Sequence, residues 1–260
     1  MIMDEKKRGA EYALKRAQAG RNAESHIASS LFKAVKEIVE ESRKYRTKSG
    51  IAREAELIGK AAEIVGAASD DIMRYTKAYS QASCKLLGIK TDVVDDYLEG
   101  DIFGNTFAAR NSKYMAQFAE DIVRMIKAGS LLGYSESTIL SAIRTGYKDP
   151  YHSSVITKAL KKDINIATPS YGRGFYKSSY QNLMRNVKGT IALAWGYAEQ
   201  EYGKESGAIG FYSYRGSSFP CAQCDDETTY LHKFGDPFPP YHISCVCFIK
   251  FVYQNSENDV

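Results

Sequence analysis

Apolar residues that recur every three or four positions constrain this fold more than any other feature of the sequence. The spacing runs through residues 27–39, 57–65, 115–126 and 176–198, and it is the period of an α-helix with one buried face. The last stripe is the longest and covers about six turns. Its apolar members are Tyr176, Tyr180, Leu183, Met184, Val187, Ile191, Trp195 and Ala198. We therefore predict a mainly helical protein in which this stripe forms the longest helix and faces a core.

Capping residues indicate where helices in the N-terminal region begin and end. Ser69 precedes two acids at residues 70–71, a pattern typical of a helix start, because serine caps free N–H groups and acids favour the positive helix end. The same helix is expected to stop at Gly88. The acidic, glycine-containing stretch 90–106 then predicts a boundary, so that residues 1–104 form a helical N-terminal region.

A second set of capping signals lies after the helix predicted at residues 115–126, which ends near the sequence KAGSLLGYS. Ser135 is placed to cap a short helix with apolar residues at positions 139–143. Gly146 together with Pro150 is expected to close that helix. The sequence therefore predicts a helix, a glycine-containing turn and a short helix before the long stripe.

From Ala208 onward the sequence has the character of β-structure. IGFYSY alternates around aromatic residues, PFPP bars a helix, and CVCFIKFV is apolar on both faces. We predict an α+β fold that is mainly α-helical, with helices over residues 105–203 and a small β module over residues 204–254. A module of about fifty residues buries too little apolar surface to be stable alone, so it needs a staple or a docking surface.

The composition excludes several function classes. The formal charge of +4 comes from 35 basic and 31 acidic residues, so no strong polyanion-binding field covers the whole chain. No apolar stretch reaches the length of about 18 residues that a membrane span needs, and the opening MIMDEKKRGAEYALKR has no signal-peptide core. We expect a protein that is made and kept in a cytoplasm and has no membrane partner.

A cluster of cysteine and histidine residues near the end of the chain carries the clearest chemical signal. CAQC at 221–224 is followed by HISCVC at 242–247, and a C-x-x-C turn facing a distant ligand pair is typical of a structural zinc site. Cys245 and Cys247 would share one face if they lie on a strand. Five residues compete for four places. These candidates are Cys221, Cys224, His242, Cys245 and Cys247.

Other interpretations of the cluster remain open. His232 is a weaker sixth ligand, and a disulfide or simple packing of small residues would also explain the cysteines, although a reducing compartment favours metal. Catalysis is not expected, because the H-x-E pattern of zinc deaminases is absent. The acids at residues 225–227 are typical of a solvated loop. We predict a structural zinc and no enzyme, while Cys84 stands alone in a helical pattern.

The second half of the chain resembles the phage Mu F-like minor head proteins, also called head morphogenesis proteins. The resemblance runs from about Ala119 to Val252 and rests on the order of AEDIVRMIKAGSLLGYSESTILSAIR, a long helix near residues 175–202, GFYSYRG, CAQC and PPYHISCVC. The last element is the most specific. Family members usually read H-P-N-C-R-C there, so His242, Cys245 and Cys247 match, whereas the intervening residues differ.

This resemblance implies a function in the virion. It assigns residues 105–260 to the Mu F-like domain and implies a low-copy capsid protein that acts in head assembly or genome delivery. Its partners would be portal or major capsid proteins, with contact to packaged DNA, and it would be found in the virion and, during assembly, in the host bacterial cytoplasm.

An alternative from the residues alone is a zinc-stapled nucleic-acid-binding protein. Arg215 beside the aromatic strand residues Phe211, Tyr212 and Tyr214 is suited to stacking on bases. The acids at 225–227 count against it, because they would repel phosphate.

Overall fold

The structure is a computed structural model that describes residues 4–101, 104–148, 179–242 and 245–254. Within these ranges it contains seven α-helices, one short 3-10 helix and a three-stranded antiparallel sheet near the C-terminus. The predicted class, α+β and mainly α-helical, is confirmed. No helix in these ranges combines the length and apolar character needed to cross a bilayer.

The helices are numbered in chain order, and the 3-10 helix at Ser42–Tyr45 directly follows the first. They are α1 (Glu5–Glu41), α2 (Glu54–Leu87), α3 (Asp92–Glu99), α4 (Phe107–Leu131), α5 (Glu136–Lys148), α6 (Ser179–Glu205) and α7 (Ala222–Asp226). Helix α6 contains the stripe from Tyr180 to Ala198, whereas Tyr176, its first member, lies outside the described residues. The prediction that this stripe forms the longest helix was wrong. Helix α1 has 37 residues and α2 has 34, whereas α6 has 27 in the described part of the chain.

The predicted helix start at Ser69 was also wrong, because this serine lies inside α2. The apolar face continues through the position: Val65, Ala68 and Ile72 are all buried at helical spacing. The Ser69 hydroxyl accepts a hydrogen bond from the Asn111 amide at 2.9 Å instead of capping a helix. The predicted end is confirmed, since α2 stops at Leu87 and is followed by Gly88, whose φ is +71°.

The cap predicted for the short helix α5 is confirmed. The hydroxyl of Ser135 accepts a hydrogen bond from the backbone N–H of Thr138 at 3.2 Å, the geometry of an N-cap. The predicted closure at Gly146 was wrong, because the helix continues to Lys148. Pro150, the other residue assigned to that closure, lies outside the described residues.

The chain divides into two compact units, each assembled from separate stretches of sequence. The first unit contains Met1–Glu24, Tyr75–Phe107 and Val187–Val260, and the second contains Ser25–Arg74 and Ala108–Asn186. The core of the second unit confirms the apolar stripes predicted there. Its large buried residues include Ile27, Leu31, Val35, Ile38, Leu57, Ile72, Phe118, Ile122, Ile126, Ile139 and Leu183. The domain boundary predicted at residue 104 stays a prediction.

The sheet belongs to the first unit and is formed by β1 (Ala208–Tyr214), β2 (Leu231–His232) and β3 (Phe248–Tyr253) in the order β2-β1-β3. Both pairings are antiparallel, and Phe211 on β1 faces Phe251 on β3. Phe211, Ile249 and Phe251 are fully or almost fully buried. Tyr202 of α6 packs against this cluster, so the predicted β module has its own core and a helical support.

Two helix glycines allow loops and strands of the module to approach the helices closely. A Cβ at Gly9 of α1 would overlap the backbone carbonyl of Ile249 in β3. A Cβ at Gly196 of α6 would overlap the backbone carbonyl of Pro239, in the loop that leads to the second cysteine pair. The backbone of the module therefore lies directly against α1 and α6, and this contact positions the cysteine-bearing loops.

Candidate metal centre

The two cysteine-bearing segments meet in one place within the first unit. Cys221, Cys224 and His242 form one group whose ligand atoms all lie within 4.8 Å of one another, and Cys224, Cys245 and Cys247 form a second. Cys224 belongs to both groups. The structure therefore brings together all five candidate ligands in two overlapping groups that could hold a metal ion.

One distance within the cluster suits two ligands of a single tetrahedral ion. The Sγ atom of Cys224 lies 3.0 Å from Nε2 of His242 and 3.9 Å from Sγ of Cys245. Two thiolates bound to one zinc at about 2.3 Å lie about 3.8 Å apart in a tetrahedron. A disulfide needs a sulfur separation of about 2.05 Å, and all five cysteines are free in the structure.

Short local elements position the ligands. Cys221 has extended backbone and precedes α7, and its carbonyl accepts the N–H of Asp225 at 2.9 Å, so the C-x-x-C segment forms a helical turn. Cys245 and Cys247 were expected on a strand, but β3 begins only at Phe248. Both are nevertheless buried, together with Cys224, in a cluster that Tyr241 covers.

The cysteines hold their protons unequally. Hydrogen bonding from the thiol of Cys247 lowers the pKa of Cys245 to about 5, and the backbone of Cys247 supports this through an N–H···S contact of 3.4 Å. The same interaction raises the pKa of Cys247, and burial raises the pKa of Cys224 to about 12. A metal ion must therefore displace protons from buried thiols, which makes its binding dependent on pH.

An arginine holds the loop that carries the first cysteine pair. The guanidinium of Arg215 donates to the carboxylate of Asp225, to the carbonyl of Phe219 and, at 3.4 Å, to the carbonyl of Cys221. Asp225 is thus the ionic partner of Arg215, although its side chain is 57% exposed. These contacts give Arg215 a role in loop structure.

The aromatic strand offers less stacking surface than the sequence indicated. Phe211 is fully buried, whereas Tyr212 is 41% exposed and Tyr214 is half-buried. Tyr214 also stacks on Phe248 of the neighbouring strand, with ring centroids 5.5 Å apart. Of the three aromatic residues considered for base stacking, only Tyr212 is exposed.

His232, the weaker sixth candidate, lies in neither ligand group. Its side chain is fully buried and stacks on the ring of Phe211, with centroids 4.7 Å apart and nearly parallel planes. Its Nε2 atom lies 2.7 Å from the carbonyl of Glu227. In the described part of the chain this histidine is a packed residue of the sheet.

Sequence reasoning missed a buried arginine beside the cluster. Arg16 of α1 is 2% exposed, and its guanidinium donates to the carbonyl of Cys247 at 2.7 Å and to that of Pro239 at 3.5 Å. The available signal was its position in the helix. Arg16 continues the buried face formed by Tyr12, Ala13, Ala19, Ala23 and Ile27, where a charged residue is unusual.

A buried carboxylate lies on the helix that faces Arg16. Glu199 of α6 is 1% exposed and bonds to the guanidinium of Arg8 at 3.2 Å. Burial raises its pKa to about 7, although the charges of Arg8 and Arg16 oppose the rise. Tyr12, on the same helix as Arg8 and Arg16, donates its hydroxyl to the backbone carbonyl of Trp195 at 2.8 Å.

Comparisons of the chain with protein-family models, with curated proteins and with solved structures gave no match.

Proposed function

We propose that this chain is a minor head protein of a phage or prophage, which acts through contacts with portal or major capsid proteins. The observation that carries the proposal is that the cysteines of CAQC meet His242, Cys245 and Cys247 in two overlapping ligand groups. These residues belong to the two segments on which the resemblance to Mu F-like proteins most depends. The protein would be found in the virion and, during assembly, in the bacterial cytoplasm.

Within this proposal the cluster holds one structural zinc ion. Sulfur and imidazole nitrogen are the ligands that zinc prefers in proteins, and four of them close its tetrahedral shell. The cluster offers five such residues in two groups that share Cys224, one more than a closed tetrahedral shell needs. Burial of Cys224, Cys245 and Cys247 agrees with a closed site. The metal would staple the module and take no part in chemistry.

The surface of the module supports a function in protein contacts. The exposed large apolar residues of the described chain include five from this module: Ile209, Tyr212, Phe219, Tyr230 and Leu231. Tyr212 and Leu231 are direct neighbours across β1 and β2, so part of this exposed area is continuous. Contiguous exposed apolar surface is typical of sites where proteins bind one another.

A virion assay tests the proposal. Phage lacking the gene are complemented with the wild-type protein or with the double variant Cys221→Ser/Cys224→Ser, and the protein is then quantified in purified heads. We expect loss of incorporation, because the module unfolds without its staple. Cys84→Ala is the matched control, since Cys84 is a buried cysteine outside the cluster. Absence of the wild-type protein from heads and assembly intermediates would contradict the assignment.

A second variant separates surface contacts from folding. Leu231→Asp places a charge on the exposed face of the module, where Leu231 is 41% exposed. We expect normal metal content with reduced incorporation into heads. Leu131→Asp is the control, because this leucine is 47% exposed on α4, outside the module. Equal incorporation of both variants would show that the apolar face of the module is not the contact surface.

Binding to DNA distinguishes the alternative function. A nucleic-acid-binding protein would bind duplex or single-stranded DNA with an affinity that falls steeply as salt concentration rises. The head-protein proposal expects weak binding in the purified protein at physiological salt. Tight, salt-dependent binding that is lost on substitution of Tyr212 would favour the alternative.

A further inference from the structure

The carbonyl groups that bind Arg16 belong to the two loop regions beside the cysteine cluster. One is the carbonyl of Cys247, a candidate ligand, and the other is that of Pro239, three residues before His242. Both acceptors are neutral. A buried guanidinium stays protonated, and its burial is costly unless nearby negative charge balances it.

The carboxylates near Arg16 supply little of that balance. In the ranges that the structure describes, no carboxylate forms an ion pair with Arg16. The charge of Arg16 acts on one buried acid, Glu199. The carboxylate of Glu199, however, is hydrogen-bonded to Arg8. Burial also raises the pKa of Glu199 to about 7, so a large share of this side chain is neutral at neutral pH. The positive charge of Arg16 therefore needs another partner.

The cysteine cluster can supply the missing negative charge once it holds a divalent metal. A zinc ion with two thiolates and two neutral ligands has no net charge, whereas three thiolates and one imidazole give one net negative charge and four thiolates give two. Arg16 and Cys245 line the same cavity, and the guanidinium of Arg16 lies 2.7 Å from the backbone carbonyl of Cys247, another candidate ligand. A cation in this place complements a site with at least three thiolates.

We propose that Arg16 is a positioning residue of the metal centre, which fixes two ligand-bearing loops and balances the charge of an anionic, thiolate-rich site. The inference rests on the metal staple of the proposed function and extends it. It makes the N-terminal helix α1 part of a metal centre whose candidate ligands all lie more than two hundred residues after Arg16. Metal affinity should then depend on a residue that does not touch the ion.

The test uses the purified full chain, zinc and a competing chelator. For Arg16→Met, which keeps the length of the side chain but removes the charge, we expect the affinity for zinc to fall about 10–100-fold, the range typical of residues that support metal ligands. Arg16→Lys cannot bridge both carbonyls but retains the positive charge. Because the charge is retained, this variant should recover most of the lost affinity. Arg21→Met is the control, because Arg21 lines the same cavity and is exposed.

Each outcome bears on a different part of the inference. Unchanged affinity in Arg16→Met, or equal losses in the Met and Lys variants, would overturn the role as counter-charge. A wild-type protein that binds no zinc would instead overturn the staple in the proposed function.

A second measurement does not depend on the variants folding. Cobalt(II) is titrated into the wild-type protein, and the intensity of its thiolate charge-transfer absorption gives the number of bound thiolates. We expect three or four, and two would overturn the inference.

Discussion

Replacing Trp195 by alanine tests the packing of the first unit at a side chain that contacts two other helices. Trp195 is the only tryptophan of the chain and is 3% exposed. Its ring lies 5.0 Å from that of Tyr12 on α1, centroid to centroid. Its indole N–H donates to the backbone carbonyl of Tyr79 on α2 at 2.8 Å. One side chain thus connects three helices of this unit.

The expected cost follows from these contacts. Truncating a buried tryptophan to alanine lowers the free energy of unfolding by about 3–5 kcal/mol, because contacts are lost and a cavity remains. The hydrogen bond to Tyr79 adds about 1 kcal/mol to the loss. We therefore expect Trp195→Ala to lie in the upper half of that range. Trp195→Phe keeps an aromatic ring but loses the N–H donor, so its cost should be about 1–2 kcal/mol.

The assay is urea denaturation of the metal-loaded protein, followed by far-ultraviolet circular dichroism, because the substitution removes the tryptophan fluorescence. Tyr197→Ala is the matched control. Tyr197 lies two residues further along α6, is 37% exposed and stacks on Tyr97 at 5.4 Å, so its loss should be about 1 kcal/mol. A cost below about 1 kcal/mol for Trp195→Ala would refute the packing argument.

Three further predictions concern the metal, the buried acid and the helix glycines. Native mass spectrometry should find about one zinc ion per chain; a metal-free protein whose stability a chelator leaves unchanged would contradict the staple. The raised pKa of Glu199 means that the folded state holds this proton more tightly, so stability from this group should fall as pH rises from about 4.5 to about 7. Glu199→Gln should remove that slope in unfolding experiments, and an unchanged slope would contradict the burial effect. Gly203→Ala should lower stability by about 1–3 kcal/mol, because its Cβ would overlap the ring of Phe251. Gly189→Ala, which meets nothing within 4 Å, should raise it by about 0.5–1 kcal/mol; equal effects in thermal unfolding would show that this close approach does not matter.

Helical periodicity predicted most of the described fold because burial of one helix face repeats regularly along the sequence. The prediction was wrong where a local signal competed with that repeat. Ser69 and the acids after it resemble a helix start, but a cap contributes only about 1 kcal/mol. Burying the side chains of Val65 and Ile72 on one continuous face contributes several kcal/mol, so α2 runs through the serine.

The sequence predicts only the local part of the candidate metal site, which is the C-x-x-C turn. Two cysteines in a C-x-x-C turn are close because they are three residues apart, and the sequence determines that proximity. Which histidine joins them depends on how the loops fold back. His242 lies 3.0 Å from the sulfur of Cys224, whereas His232 stacks on Phe211 in the sheet. The sequence presents both histidines as candidates.

Arg16 and Glu199 show what only the tertiary structure decided. A charged residue in a helical stretch is usually solvated. The apolar face of α1 indicates that Arg16 is buried, but the neighbouring sequence does not show what either residue binds. Their surroundings come from segments far away in the chain: Arg16 bonds to the loop before β3, and Glu199 bonds to Arg8 of α1. The sequence by itself determined the helices and the C-x-x-C turn, because these depend on near neighbours. The charges buried beside the cluster depend on long-range packing, so they became visible only in the folded chain.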